Sequence, residues 1–103
     1  MHARVSTYQG PPNSTQQQVE EGDRYVRENI LPPLRQIDGF KGVIALLESQ
    51  SGKSLSITLW ESEEAMRASE EDANRLRKQS AEAQSETVEA VERYEVSLFE
   101  VEA

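Results

Sequence analysis

The chain contains no cysteine, one histidine, and few aromatic side chains: one Trp, three Tyr and two Phe. Without cysteine there are no disulfides, no thiolate chemistry and no Cys-ligated metal centre. The single histidine, His2, stands beside the first Met, where a side chain is either frayed or, on a sharper reading, a general base. With one His and no Gly-rich phosphate loop, neither a Ser-His-Asp set nor a nucleotide cradle is expected. No stretch of about 18 apolar residues occurs, so no membrane-spanning helix is expected. The opening residues, Met1 to Tyr8, lack an apolar targeting segment, and a cytoplasmic location is the expectation. Positive charge is also short, with 11 basic against 19 acidic side chains and a net charge of −8. Residues 1–60 carry six acids and six bases, whereas residues 61–103 carry thirteen acids and five bases. No basic patch is visible, so a nucleic-acid partner is not expected.

Apolar residues are scarce too. Val, Ile, Leu and Phe together number 22 of 103, about the one-fifth level below which charged chains tend to stay unfolded. Either these residues are sharply clustered, or a second chain completes the fold.

What is present is well ordered along the chain. Residues 3–9 alternate apolar and polar and predict a strand, which Gly10-Pro11-Pro12-Asn13 breaks. Ser14 or Thr15 caps a helix with an inner stripe of Val19, Val26 and Ile30. Pro32-Pro33 interrupts it, although proline suits the first position of a new helical turn. Phe40 to Glu48 is short, apolar and bounded by turn residues, which predicts a strand. Ser49 to Lys53 supplies a hairpin loop containing glycine. Ser54 to Trp60 alternates strictly, with Leu55, Ile57 and Leu59 on one face and Ser54, Ser56, Thr58 and Trp60 on the other.

Ser62 caps a second helix whose stripe is small: Ala65, Ser69, Ala73 or Asp72, Leu76, Ser80 and Ala83, with Met66 beside it. So little area is buried there that its far end is expected to fray. Thr87 to Val101 is the last strand region, with a phase change between Leu98 and Phe99. The order β-α-β-β-α-β predicts a ferredoxin-like α+β fold, a four-stranded antiparallel sheet with both helices on one face.

The uncovered face of that sheet does not read as polar. The second strand offers Phe40, Ile44 and Leu46 on one side and Val43, Ala45 and Leu47 on the other. An apolar open face of several hundred Å² marks an interface, and a second copy related by two-fold symmetry is its simplest occupant.

Two stretches carry a family resemblance. Asn29-Ile30-Leu31-Pro32-Pro33-Leu34-Arg35-Gln36-Ile37-Asp38-Gly39-Phe40-Lys41-Gly42 and Leu59-Trp60-Glu61-Ser62-Glu63-Glu64-Ala65-Met66 resemble the helix-to-strand and strand-to-helix turns of antibiotic-biosynthesis-monooxygenase-like domains. The resemblance implies a single domain over residues 1–103 that pairs into a dimeric α+β barrel. It also implies a small cofactor-independent monooxygenase, using neither metal nor flavin, that oxidises an aromatic or polyketide-like substrate through its carbanion. The catalytic residues are not identified by it. A haem-degrading relative would place a functional Asn near Ser6 or Thr7, a second Trp near Ser69 and a haem-ligating His near Gln79, and none of these fits. The alternative is a non-catalytic member of the same fold that binds a small molecule or simply dimerises, because a tightly packed small-residue helix leaves no pocket.

Trp60, Tyr25, Met66 and Tyr94 are the candidate lining of a pocket for a small aromatic ligand. Each also has a plainer role. Trp60 can cap the barrel where strand meets helix, Met66 can fill a gap, and Tyr25 and Tyr94, like Tyr8, can pack at the edge of the core. Glu61, Glu63 and Glu64 suit a helix start better than a metal site, and Glu70-Glu71-Asp72 reads as a solvated helix face. RNA binding by the same element order needs aromatic and basic side chains on the third strand, which has one aromatic and no base within residues 54–60.

Overall fold

The computed structural model describes residues 1–103. Its elements are β1 (His2–Gln9), α1 (Gln16–Tyr25), a π-helical turn (Val26–Ile30), α2 (Leu31–Arg35), β2 (Phe40–Glu48), β3 (Lys53–Trp60), α3 (Glu63–Ala68), α4 (Glu70–Ala83) and β4 (Thr87–Glu95). The four strands make one antiparallel sheet in the order β2-β3-β1-β4, with the helices on one face. This is the spatial order of the split βαβ arrangement, so the expected ferredoxin-like α+β fold is present.

Local chemistry accounts for most boundaries. Thr15 closes a capping box, its hydroxyl accepting from the Gln18 backbone N–H at 3.1 Å while Gln18 Oε1 accepts from the Thr15 N–H at 2.8 Å. Ser62 caps α3 by accepting from the Ala65 N–H at 3.0 Å. Gly52 holds φ +80° in the β2–β3 hairpin, where a Cβ would press on the carbonyl oxygens of Gly10 and Pro11. Gly39 holds φ +84°, and a Cβ there would lie 2.5 Å from that of Ala65. The Gly39 carbonyl also accepts from the Glu61 N–H at 2.7 Å. The turn before β2 and the turn after β3 are therefore locked together.

One expectation gains detail and two need correction. The Pro32-Pro33 pair does begin a new helical turn, and it does so without breaking the helical run from α1. One π-helical turn shifts the hydrogen-bond register, and both prolines fall within the first turn of α2, where a missing N–H leaves no bond unmade. The far end of the second helical region does not fray. It breaks at Ser69 instead, and α4 continues to Ala83 with Ala73, Leu76 and Ala81 buried; the inner stripe therefore leaves Ala83 for Ala81. The last strand stops at Glu95 rather than running on to Val101. Its one ladder partner is β1, and after Val96 N–H has bonded the Met1 carbonyl at 2.9 Å that partner is exhausted.

Register decides which face each strand turns to the helices. Arg4, Ser6 and Tyr8 pair with Thr58, Ser56 and Ser54, which in turn pair with Val43, Ala45 and Leu47. These residues share the helix side. Leu55, Ile57 and Leu59 share the opposite side with Val5, Ile44 and Leu46. A bulge at Lys41 turns Phe40 to the helix side, away from Ile44 and Leu46, and its ring meets Trp60 edge-on at 5.6 Å. The open face is thus apolar along β2 and β3, while the helix side is polar along β1 and β3 and apolar along β2.

Candidate functional site

The packed apolar residues occupy one end of the helix side. Ile30, Leu34, Trp60, Met66 and Leu76 form the core cluster, with Tyr25, Val26, Leu31, Ile37 and Phe40 against it. At the other end, the polar strand faces and the helices do not meet, and a cavity of about 350 Å³ lies between them. That is within the size range of small-molecule sites. Its floor is Arg4, Ser6 and Tyr8 of β1 with Ser54, Ser56 and Thr58 of β3. Its roof is Val19, Gly22 and Val26 on one side and Ala73, Leu76, Arg77 and Ser80 of α4 on the other. Asp23, Gln84 and Glu86 also contribute to the wall.

Small side chains are what leave the space. Serine, threonine and alanine on β3 and α4 fill little volume, while Trp60 and Met66 hold the two layers apart at the core end. The small-residue helix, which the non-catalytic alternative packs without a pocket, instead roofs one.

Arg4 is 2% exposed. Its Nη2 donates to the Met66 carbonyl at 2.8 Å, to Ser69 Oγ at 3.0 Å and to Glu70 Oε1 at 2.9 Å. Its Nε and Nη1 have no hydrogen-bond partner, and the guanidinium carbon lies 5.4 Å from the Trp60 ring centroid. Glu70 also receives two bonds of 2.6 Å from Arg93. The Arg93 bonds first, and Arg4 second, hold the Glu70 carboxyl down at about 2.

Arg77 has no carboxylate partner. Its Nε donates to Ser6 Oγ at 3.1 Å and its Nη1 to Asn74 Oδ1 at 3.0 Å. Burial pushes its guanidinium below the ordinary value, and Arg4 adds to that push. Burial raises the Tyr8 phenol, while Ser6, Arg77 and Ser56 beside it oppose the rise. Burial likewise raises the Glu86 carboxyl, and the 3.3 Å bond from Ser54 Oγ opposes it. A desolvated carboxyl with a raised pKa is a group suited to exchanging a proton with a bound molecule.

None of the four residues expected to line a pocket lines this cavity. Trp60 is fully buried in the core cluster, its Nε1–H donating to Thr58 Oγ1 at 3.0 Å. Met66 is buried beside it. Tyr25 packs against the same cluster and its hydroxyl accepts from Gln79 Nε2 at 3.1 Å. Tyr94 stands on the open side of the sheet, paired with Ala3, and donates to Glu92 Oε2 at 3.0 Å. Met66 and Tyr94 border a shallower recess with His2 and Glu63. The structure thus brings Trp60, Met66 and Tyr25 together as core, with Tyr94 apart from them, and builds the cavity between sheet and helices with Arg4, Ser6, Tyr8, Arg77 and Glu86 among its lining. The signal for Arg4, Ser6 and Tyr8 was present as one face of the alternating first strand. Arg77 belongs to the bases around Glu70-Glu71-Asp72, a segment that reads in sequence as a solvated helix face. No group of three or more His, Asp or Glu side chains comes together in a form that could hold a metal ion, and no helix is long and apolar enough to cross a membrane.

No family model matches the chain. Two uncharacterised proteins of Mycobacterium tuberculosis are similar in sequence. Rv2558 is 38% identical over 81 residues, covering 79% of this chain and 33% of its own length. Rv2557 is 34% identical over 99 residues, covering 96% of this chain and 42% of its own length. The chain therefore spans between a third and about two-fifths of the curated relatives it matches. Among solved structures, a candidate antibiotic biosynthesis monooxygenase of Deinococcus radiodurans superposes with a TM-score of 0.64 at 16% identity, covering all of both chains. SnoaB, a cofactor-independent oxygenase of Streptomyces nogalater, gives 0.62 at 15% identity over 95% of this chain and 94% of its own. MhuD, a haem degrader of Mycobacterium tuberculosis, gives 0.64 at 19% identity over 98% of this chain and 100% of its own. At these identities the shared property is the fold, and the fold of this chain is that of the antibiotic-biosynthesis-monooxygenase-like domains.

Proposed function

We propose that the chain is a cofactor-independent monooxygenase whose aromatic or polyketide-like substrate occupies the cavity between sheet and helices, and that it works as a homodimer closed through the open sheet face. The observation that carries the reading is the 350 Å³ cavity itself, walled on one side by aliphatic residues and on the other by hydroxyls, a phenol and a desolvated carboxyl. SnoaB, an oxygenase of the same fold that needs no cofactor, supports the choice of chemistry. A cytoplasmic location goes with it.

The chemistry asks little of the protein. Glu86 takes a proton from an activated carbon of the substrate, and the Tyr8 hydroxyl donates to the enolate oxygen that forms. The carbanion passes an electron to dioxygen and the two recombine as a peroxide. Protonation and loss of water then leave a carbonyl, so that a methylene and O₂ become a ketone and H₂O. The hydroxyls of Ser6 and Ser56 stand beside the phenol and orient it.

Haem degradation is not part of the reading. The position matched to a haem-ligating His is Gln79, which is engaged with Tyr25, and Ser69 is 1% exposed beneath Arg4.

The test is oxygen uptake and quinone formation with dithranol, an anthrone. Wild-type protein should exceed the spontaneous rate, and Glu86→Gln should lower kcat by about 10²-fold or more. Uptake no faster than in buffer would refute the oxygenase reading. Binding without turnover would instead favour the non-catalytic, ligand-binding alternative.

A further inference from the structure

Arg4, Arg77, Asp23 and Glu86 are the charged side chains of the cavity, and neither acid is paired with Arg77. Arg4 and Arg77 line its α4 side, Arg93 is near enough to perturb Arg77, and Glu70 bonds Arg4 and Arg93 but not Arg77. Glu70 is consumed by Arg4 and Arg93. Arg77 is left with two neutral oxygens, those of Ser6 and Asn74, and it takes part in no ion pair. A partly buried guanidinium without a counter-ion is a costly arrangement. It is more notable in a chain of net charge −8, which has acids to spare. Glu86, a carboxyl of the same cavity, does not serve Arg77. It is bonded by Ser54, and Arg77 is not among the groups that perturb it. Tyr8 feels both Arg77 and Glu86 and so stands between a cationic end and a proton-accepting end.

We infer that the missing counter-ion is carried by the ligand: the cavity takes an aromatic compound bearing a carboxylate, which Arg77 holds, with Arg4 reinforcing the positive field from behind. The inference rests on the cavity being the ligand site, as proposed above, and it names the class of compound that enters. A planar guanidinium bonds a carboxylate through two parallel N–H groups, and Ser6 and Asn74 are weak enough partners to be exchanged for it. The aliphatic roof of Val19, Val26 and Leu76 faces the ring system, and the unsaturated or activated carbon is left towards Tyr8 and Glu86.

The experiment measures binding rather than turnover. 1-Hydroxy-2-naphthoate and its neutral isostere 1-hydroxy-2-naphthamide are titrated by calorimetry into wild type, Arg77→Gln and Arg77→Lys at neutral pH. Wild type should bind the acid at least tenfold tighter than the amide. Arg77→Gln should erase that preference while leaving amide binding within about twofold, and Arg77→Lys should restore part of it. Near-ultraviolet circular dichroism of the buried Trp60 checks that each variant is folded. Because Arg77 is a partly exposed residue on a helix, the substitutions should fold where changes at the buried Arg4 would not. Equal binding of acid and amide to wild type, or a preference that survives Arg77→Gln, would overturn the inference and leave the cavity reading standing. Binding of neither compound would overturn both.

Discussion

Arg4 and Arg93 close on one carboxylate, and that carboxylate, Glu70, is held at about 2 against an ordinary 4.5. A folded-state pKa below the unfolded one gives stability that is present above about 4.5 and is lost as pH falls towards 2. The Glu70 side chain is 35% exposed, so solvent screening trims the effect. Wild type should nevertheless show a melting temperature that falls through this window, and Glu70→Gln should flatten the fall; an unchanged slope in thermal melts from pH 6 to 2 would show that the pair is silent. Glu86 carries the opposite sign. Burial raises its pKa, so the folded chain keeps this proton after the unfolded chain has released it. Stability therefore drops as pH rises past the ordinary carboxylate value. Glu86→Gln should melt above wild type at neutral pH and level with it near pH 4, with activity lost in exchange. A variant equally stable at both pH values would mean that Glu86 is not desolvated by the fold.

Two elements carry the separation that makes the cavity. β3 ends in Trp60, wedged with Phe40, Met66 and Leu76 between sheet and helices. The hairpin before β3 turns at Gly52 against the loop that follows β1. Trp60→Ala should cost about 3–5 kcal/mol, a large share of the roughly 5–15 kcal/mol available to a domain. Urea unfolding would measure it, and a loss under 1 kcal/mol would show that the core does not depend on the wedge. Gly52→Ala meets both a positive φ and two carbonyl oxygens, and should lower the urea midpoint through β1 and β3 together.

The elements themselves were legible in the sequence because their signals are local. Thr15, Ser62 and Gly52 act over three or four residues, and the alternation of Ser54 to Trp60 is a property of one strand. The cavity was not legible in the same way. Which face of β3 meets the helices depends on its pairing with β1, and Phe40 changes sides through a bulge that alternation does not announce. Trp60 and Met66 are apolar and large, so they are drawn to the core, while Arg4, Arg77, Asp23 and Glu86 are among the residues that line the space.

The open face is a property of the whole molecule. Leu55, Ile57 and Val5 lie on it with Ile44 and Leu46, which are 41% and 48% exposed. An apolar exterior on β2 and β3, beside serines and threonine on the inner side of β3, is the wrong way round for a lone domain, and it becomes the right way round once a second copy covers the outside. Part of the negative charge is kept away from this face, although Glu92 of β4 stands on it opposite Val5. Residues 61–103 carry the whole excess of −8, and α3 and α4 hold six of those acids on the far side of the sheet from the face. Two such molecules still repel at long range. Association should therefore tighten as salt rises from about 10 to 150 mM and the Debye length shortens from about 30 to 8 Å. Ile44→Glu tests the geometry directly. In a monomer its carboxylate is solvated at an exposed edge-strand position and the fold is undisturbed. In a dimer it is buried without a partner, which costs several kcal/mol. Sedimentation should give twice the chain mass for wild type and the single chain for the variant. The variant should also lose the rise of melting temperature with protein concentration that a dimer shows. Its naphthoate binding should persist, because the cavity lies on the other side of the sheet within one protomer. A wild-type chain that stays monomeric at every salt and concentration would mean that the apolar face is covered by something other than its own copy.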